Sequence, residues 1–391
     1  MATMKVYAAP AVNAHILEKQ FLGSTKASSA EDALRALLAI DSGSLPNTCY
    51  SLSLRARNFN VTAFQQSLQS GKLARVRGLK GNLQVVPVEL MPAIFTASSQ
   101  SREARSESLL EGWGIQEAEY LQVRTAIIDA LGSKEKTLSQ LKTGLKPGVS
   151  RDLIRSRGKA KERSTNIAVV ATAMWERWEL LRGGIGRVPG EDPGRYSLFS
   201  RRFGMKLAMD RREALKKLTG QFIAAYGPVC ADDLAWWLGI PAKEAATLID
   251  AKTTERIAIE GITGDFFMAA GEMIKDNKPS ANVVMLPVDD PYVKAYTRRE
   301  RIVPELYLDK VIMRFGESNS TVLVNGTVSG TWHLDHETDG EAVHVEMFGP
   351  AAKSAEASIE SAAHATGRFF TGADVSVSMS VNKKGSSPDL G

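Results

Sequence analysis

Apolar residues recur at helical spacing along much of the chain, and the helical stretches give way repeatedly to short alternating segments. Ile16, Leu17 and Phe21 mark a helix within residues 11–40. A second starts at Ser28-Ser29-Ala30-Glu31, where a serine cap precedes an acidic first turn, and carries Leu34, Leu37 and Leu38 on one side. The stretch Asp41-Ser42-Gly43-Ser44-Leu45-Pro46-Asn47 breaks it. After a turn with Gly78 and Gly81, Leu83-Gln84-Val85-Val86-Pro87 alternates like a hairpin arm. Residues 114–145 return to helical spacing (Leu121, Ile128, Leu131, Leu138, Leu141), as do residues 167–182 (Ile167, Val170, Met174, Leu180). Arg195-Tyr196-Ser197-Leu198-Phe199 then reads as a strand. The order recurs: a helix over 211–226, a turn at Pro228, helices over 231–238 and 242–249, then Ile257-Ala258-Ile259 and a returning Phe266-Phe267-Met268.

Helix, turn, helix and a two-stranded ribbon is the winged-helix plan. The pattern therefore predicts a mostly α protein with small β wings. It divides into tandem winged-helix (helix-turn-helix) units at 1–110, 111–205 and 206–275. From 282 onward the character changes. Val283 to Pro287, Thr321 to Val324, Thr327 to Trp332 and Val343 to Met347 are strand-like, and Asn325-Gly326 is a hairpin signal. A β-rich C-terminal region, 276–370, includes an amphipathic helix over 351–368. Residues 371–391 complete the chain with an edge strand, Val375 to Val381, and a flexible tail.

Composition narrows the function classes. The chain has 391 residues, 43% hydrophobic and 24% charged, enough to build cores and too much for wholesale disorder. No run approaches the ~18 apolar residues of a membrane span. Cys49 and Cys230 are far apart, which excludes a disulfide scaffold and a cysteine metal cluster. Without a secretory leader pattern, the expected location is cytoplasmic, near the nucleoid. The net charge of +5 is mild, so the placement of cations matters more than their sum. They cluster at Arg55, Arg57, Lys72, Arg75, Arg77 and Lys80; at Arg151, Arg155, Arg157, Lys159, Lys161 and Arg163; at Arg201, Arg202, Lys206, Arg211 and Arg212; and at Arg298, Arg299 and Arg301. Such groups beside turns suit phosphate contacts; a flexible 155–166 run would be a mobile DNA-gripping loop. His333, His336 and His344 have no cysteine partner, and the reading assigns them no metal. Of the adjacent Trp236 and Trp237, one is expected in the core and the other at a packing interface; Trp332 is expected in the core.

Several segments carry a resemblance. Ala225-Tyr226-Gly227-Pro228 with Asp233-Leu234-Ala235-Trp236-Trp237-Leu238-Gly239, then Met285-Leu286-Pro287-Val288-Asp289-Asp290-Pro291-Tyr292, then Val324 to Trp332, are collinear with motifs of one family. Arg77-Gly78-Leu79-Lys80-Gly81-Asn82-Leu83-Gln84 is similar to that family's Met-Arg-Gly-Thr-Leu-His turn, with Gln84 in the histidine place. Together they resemble the bacterial winged-helix DNA glycosylases of the AlkZ/YcaQ type, from about residue 12 to about residue 350. The resemblance implies a monomer of three tandem winged helices curved around double-stranded DNA. It also implies hydrolysis of the N-glycosidic bond of alkylated, bulky or crosslinked nucleobases, without metal or organic cofactor.

In that family catalysis sits in a Gln-apolar-Gln or Gln-apolar-Asp motif at the end of an early helix. The collinear residues here are Ala39-Ile40-Asp41, followed by Asn47. A fixed carboxylate stabilises positive charge on the sugar as the base departs and helps orient a water, the role expected of Asp41 with Asn47 as helper. The expected DNA contacts are Arg55, Arg57, Arg75, Arg77, Lys80, Arg155, Arg157, Lys159, Lys161, Arg163, Arg201, Arg202, Arg298 and Arg299. A turn aspartate that caps backbone groups with its own side chain is the other reading of Asp41. Because Ala39 stands where the family has glutamine, a non-enzymatic DNA-binding protein, a regulator or lesion binder, is the alternative function.

Overall fold

The structure is a computed structural model describing residues 4–158, 160–183, 194–275, 282–314, 316–337, 340–350 and 353–382. The expected tail beyond Asn382 and residues 184–193 lie outside the described residues. The chain is mixed α/β rather than mostly α, because five sheets accompany the helices among the described residues. It forms two compact units that are discontinuous in sequence. One comprises Met1–Ile40, Pro46–Phe59 and Thr219–Gly391; the other comprises Asp41–Leu45 and Asn60–Leu218.

One order of elements repeats along the chain. It runs as helix Ala30–Leu37, strand Ile40–Asp41, helices Leu45–Ser53 and Val61–Gln69, and strands Leu73–Arg77 and Leu83–Pro87. It returns as helix Glu117–Leu131, strand Lys136–Thr137, helices Leu138–Gly144 and Asn166–Glu176, and strands Leu180–Gly183 and Arg195–Leu198. In both, the short strand pairs with the last strand, which pairs with the middle one. The third instance has helix Arg211–Tyr226, a bridge between Val229 and Phe267, helices Ala231–Leu238 and Ala242–Leu248, and the hairpin Thr254–Ile259 with Ile262–Ala269.

Local chemistry explains these starts and stops. The Ser29 side chain accepts the Asp32 backbone N–H and caps its helix. Thr137 and Gln140 form a reciprocal capping box. In the larger-numbered unit, the five-stranded sheet runs in the order Val283–Leu286, Thr321–Val324, Thr327–Glu337, Gly340–Met347, Ser376–Val381, its last pair parallel. Asn325 (φ 53°) and Gly326 (φ 80°) make the sharp hairpin turn, where a left-handed backbone suits these two residues. Trp332, Val343, Val345 and Met347 face helix Lys353–Thr371 through Ile359 and Ala363.

The resemblance motifs of that unit turn out to be core. Tyr226 stacks on Phe222 at 4.9 Å, Trp237 stacks on Phe222 at 4.8 Å, and the Tyr226 hydroxyl donates to the Leu37 carbonyl at 2.7 Å. Trp237 is buried, whereas Trp236 is partly exposed and its indole N–H donates to the Lys294 carbonyl at 2.9 Å. Trp332 is buried with its N–H on the Leu286 carbonyl. Asp233 accepts the Cys230, Thr297 and Arg298 backbone N–H groups, so it ties a helix start to a distant loop. The other unit has its own core of Val123, Ile127, Leu131, Leu141, Ile167, Val170 and Met174.

Candidate functional site

Asp41 ends a two-residue strand and is half-buried. Its Oδ1 accepts the Gly43 N–H at 3.1 Å, a turn closed by the side chain. The next residue is held firmly: the Ser42 N–H donates to the Leu83 carbonyl at 2.7 Å, and Arg75 Nη2 donates to the Ser42 carbonyl at 2.9 Å. Arg75 Nε also reaches the Ser42 hydroxyl at 3.2 Å. The carboxylate thus sits on a turn clamped from two sides, a setting that limits its motion. Ala39 is buried, 4% exposed, and its methyl group can position no water. Asn47 is half-buried in helix Leu45–Ser53 and belongs to the other compact unit.

The turn after Leu73–Arg77 is built by Gln84, whose Oε1 accepts the Leu79 N–H at 3.0 Å. Lys80 adopts φ 54° within it and is half-buried. Arg77 lies over Trp175 at 4.4 Å, pairs with Glu176 at 3.1 Å and donates to the Gly81 carbonyl. Arg105 pairs with the other Glu176 oxygen at 3.1 Å, and Arg182 lies 5.3 Å from the Trp175 ring. Burial and the neighbouring arginines push the Arg77 guanidinium below its ordinary value, against the attraction of Glu176. Two guanidiniums here share one carboxylate, and Arg182 adds a third cation over the same indole ring. A cavity of about 310 Å³ in the same unit is lined by Arg75, Arg182, Arg202, Glu135, Gln65 and Gln69, among others. Sequence reading missed Arg105, Arg182 and Trp175; their only signal was a cation or an aromatic residue on an otherwise ordinary helix or strand.

Residues 152–165 form a two-stranded ribbon, Asp152–Arg157 with Ala160–Thr165, not the loop expected for 155–166. Its residues alternate between faces. On one face Leu153 is buried, and Arg155 pairs with Glu162 at 2.6 Å and lies 4.1 Å over Trp113. The opposite face carries Ile154, 63% exposed, with exposed Lys161 and Arg163. Lys159 and the Arg157 side chain lie outside the described residues.

Of the other expected phosphate contacts, Arg55 is corrected by its burial, and the rest take the following settings. Arg55 is fully buried, its two terminal nitrogens on the Asp290 carboxylate at 2.8 and 2.7 Å, with Ser51 donating to the same group. Arg75 serves the Ser42 turn. Arg299 is half-buried, donates to the Val293 carbonyl, lies over Trp236 at 5.9 Å, and is pushed down by burial. Arg298 pairs with Glu300 and the Thr263 carbonyl, and Arg202 with Glu135 at 2.6 Å. Arg57 and Arg201 are exposed. Among the described residues no helix is long and apolar enough to cross a membrane.

No curated protein sequence matches the chain. Its fold is similar to the solved structure of the Streptomyces sahachiroi DNA glycosylase AlkZ. That likeness has a TM-score of 0.72 and 17% identity, and covers 96% of this chain and 100% of that one. Residues 34–369 match the family model described as DNA glycosylase AlkZ-like. Since that match spans most of the sequence, the chain belongs to the AlkZ-like DNA glycosylase family.

Proposed function

We propose that the chain is a monofunctional DNA glycosylase for alkylated, bulky or crosslinked nucleobases, with Asp41 as its acting carboxylate. The observation that carries this reading is the Asp41 turn, a half-buried acid held between Gly43, Ser42 and Arg75 in a chain of that family. The three repeats at 1–110, 111–205 and 206–275 act as tandem winged helices, followed by the β-rich region 276–370 and the segment 371–391. As a monomer in the cytoplasm, at the nucleoid, they hold duplex DNA.

In the reaction the C1′–N bond breaks and its electron pair leaves with the base. A base alkylated on nitrogen is cationic before this step and departs neutral, so it needs little acid assistance. Positive charge grows on the sugar, where the Asp41 carboxylate stabilises it. Water adds to C1′ and its proton passes toward the same carboxylate. With Ala39 in place of glutamine, position 39 offers no side-chain amide to orient this water, and the carboxylate carries that role. Lys161 and Arg163 on the outer ribbon face, with Lys80 and Arg201 of the same unit, neutralise phosphates. A two-stranded ribbon has the width to enter a groove, where exposed Ile154 would contact bases or sugars.

The test is incubation with duplex DNA carrying a 7-alkylguanine, followed by chemical scission at abasic sites. Release of the free base with equimolar abasic sites supports the reading. Tight, salt-dependent binding without release selects the non-enzymatic alternative.

A further inference from the structure

We propose that His333, Asp335 and His344 form a surface site for a divalent zinc-like ion. The site is independent of the glycosylase reading. His333 and His344 are directly opposed across the antiparallel pair Thr327–Glu337 and Gly340–Met347, and Asp335 follows His333 by two residues, on the same face. Their rings stack at 4.9 Å with an interplanar angle of 22°. His333 Nε2 lies 3.3 Å from Asp335 Oδ2, and His344 Nε2 lies 4.0 Å from the same oxygen. One candidate ligand atom from each residue lies within 4.8 Å of the others.

Zinc binds imidazole nitrogen and carboxylate oxygen at about 2.0–2.2 Å, which places ligand atoms about 2.9–3.4 Å apart. The His333–Asp335 spacing already meets this, and an ion would draw in the remaining ligand atoms from no more than 4.8 Å. A hydrogen bond also orients one of the imidazoles. His344 Nδ1 is 2.6 Å from the Ser378 hydroxyl. If that nitrogen carries the proton, Nε2 is left with its lone pair toward Asp335, the arrangement typical of a ligating histidine. The opposite face of the same strands, with Trp332, Val343 and Val345, is buried, so the ligands stand on a rigid sheet. Two imidazoles and one carboxylate select a borderline transition ion over magnesium or calcium. All three ligands have exposed or half-exposed side chains, so waters complete the coordination. The ion would cross-link two strands, and through Ser378 a third, Ser376–Val381.

The experiment uses the full chain without a histidine tag, treated with EDTA and titrated calorimetrically with zinc chloride or magnesium chloride. One zinc binds per chain, magnesium does not, and zinc raises the melting temperature. His333→Ala, Asp335→Asn and His344→Ala each weaken zinc binding at least tenfold and abolish the melting shift, with metal-free melting unchanged. Ser378→Ala weakens it about tenfold. Absence of zinc binding, equal magnesium binding, or zinc affinity unaffected by His333→Ala and His344→Ala overturns the proposal.

Discussion

One basic run in each compact unit shows cations put to opposite uses. In the one that contains the five-stranded sheet, Arg55 is fully buried and clamped on Asp290, 235 residues away in sequence. In the other, Lys161 and Arg163 stand out on a ribbon whose inner face is satisfied by Arg155, Glu162 and Trp113. Both sets look alike as runs of basic residues. The difference teaches that a cation's partner, not its neighbours in sequence, decides whether it supports the fold or meets a polyanion.

The sharpest way to break this comparison is Arg55→Ala. It strands a buried carboxylate and should cost about 3–5 kcal/mol in urea denaturation. A loss below about 1 kcal/mol together with weakened DNA binding would place Arg55 with the ribbon cations instead. Next in size, the double variant Lys161→Ala/Arg163→Ala should leave the melting temperature unchanged and weaken duplex binding more than tenfold at low salt. The slope of log affinity against log salt should fall by about 2. An unchanged slope would remove the ribbon from the interface.

The smallest effect separates an exposed ion pair from the buried one. Arg151 grips Glu119 with two hydrogen bonds at 2.6 and 2.7 Å, and that contact holds the Glu119 carboxyl below its ordinary value of 4.5. A depressed carboxyl adds stability above its unfolded value and loses it as pH falls through the lower folded value. Arg151→Ala should therefore destabilise slightly at pH 7, far less than Arg55→Ala. The difference should fade as pH falls from 4.5 through the lower value at which the folded Glu119 protonates. A difference that persists at acid pH would show that Arg151 acts through packing rather than charge.

Much of the fold was legible because its signals are local. Ser29 before Glu31 and Asp32 announced a helix start, and Asn325-Gly326 announced a hairpin. The ribbon was not legible. Seven residues of this segment, Asp152, Arg155, Arg157, Lys159, Lys161, Glu162 and Arg163, are charged, and among the described residues only Leu153 is buried, so the period-two apolar signal is missing. The Arg55–Asp290 pair escaped notice because nothing in either segment encodes a partner so distant. At the site, the Asp41 turn was visible in Asp41-Ser42-Gly43. The Arg75 clamp that steadies it was not, since a strand arginine next to a turn reads equally well as a phosphate ligand. The aspartate closes the turn the sequence allowed it, and it is half-buried there.

The most direct measurement of the central claim is the single-turnover rate of 7-alkylguanine release by the wild-type chain and by Asp41→Asn, with duplex affinity determined in parallel. The account predicts a rate lower by about 10²–10³-fold for Asp41→Asn at unchanged affinity. Equal rates, or a loss that merely follows weaker binding, would contradict it.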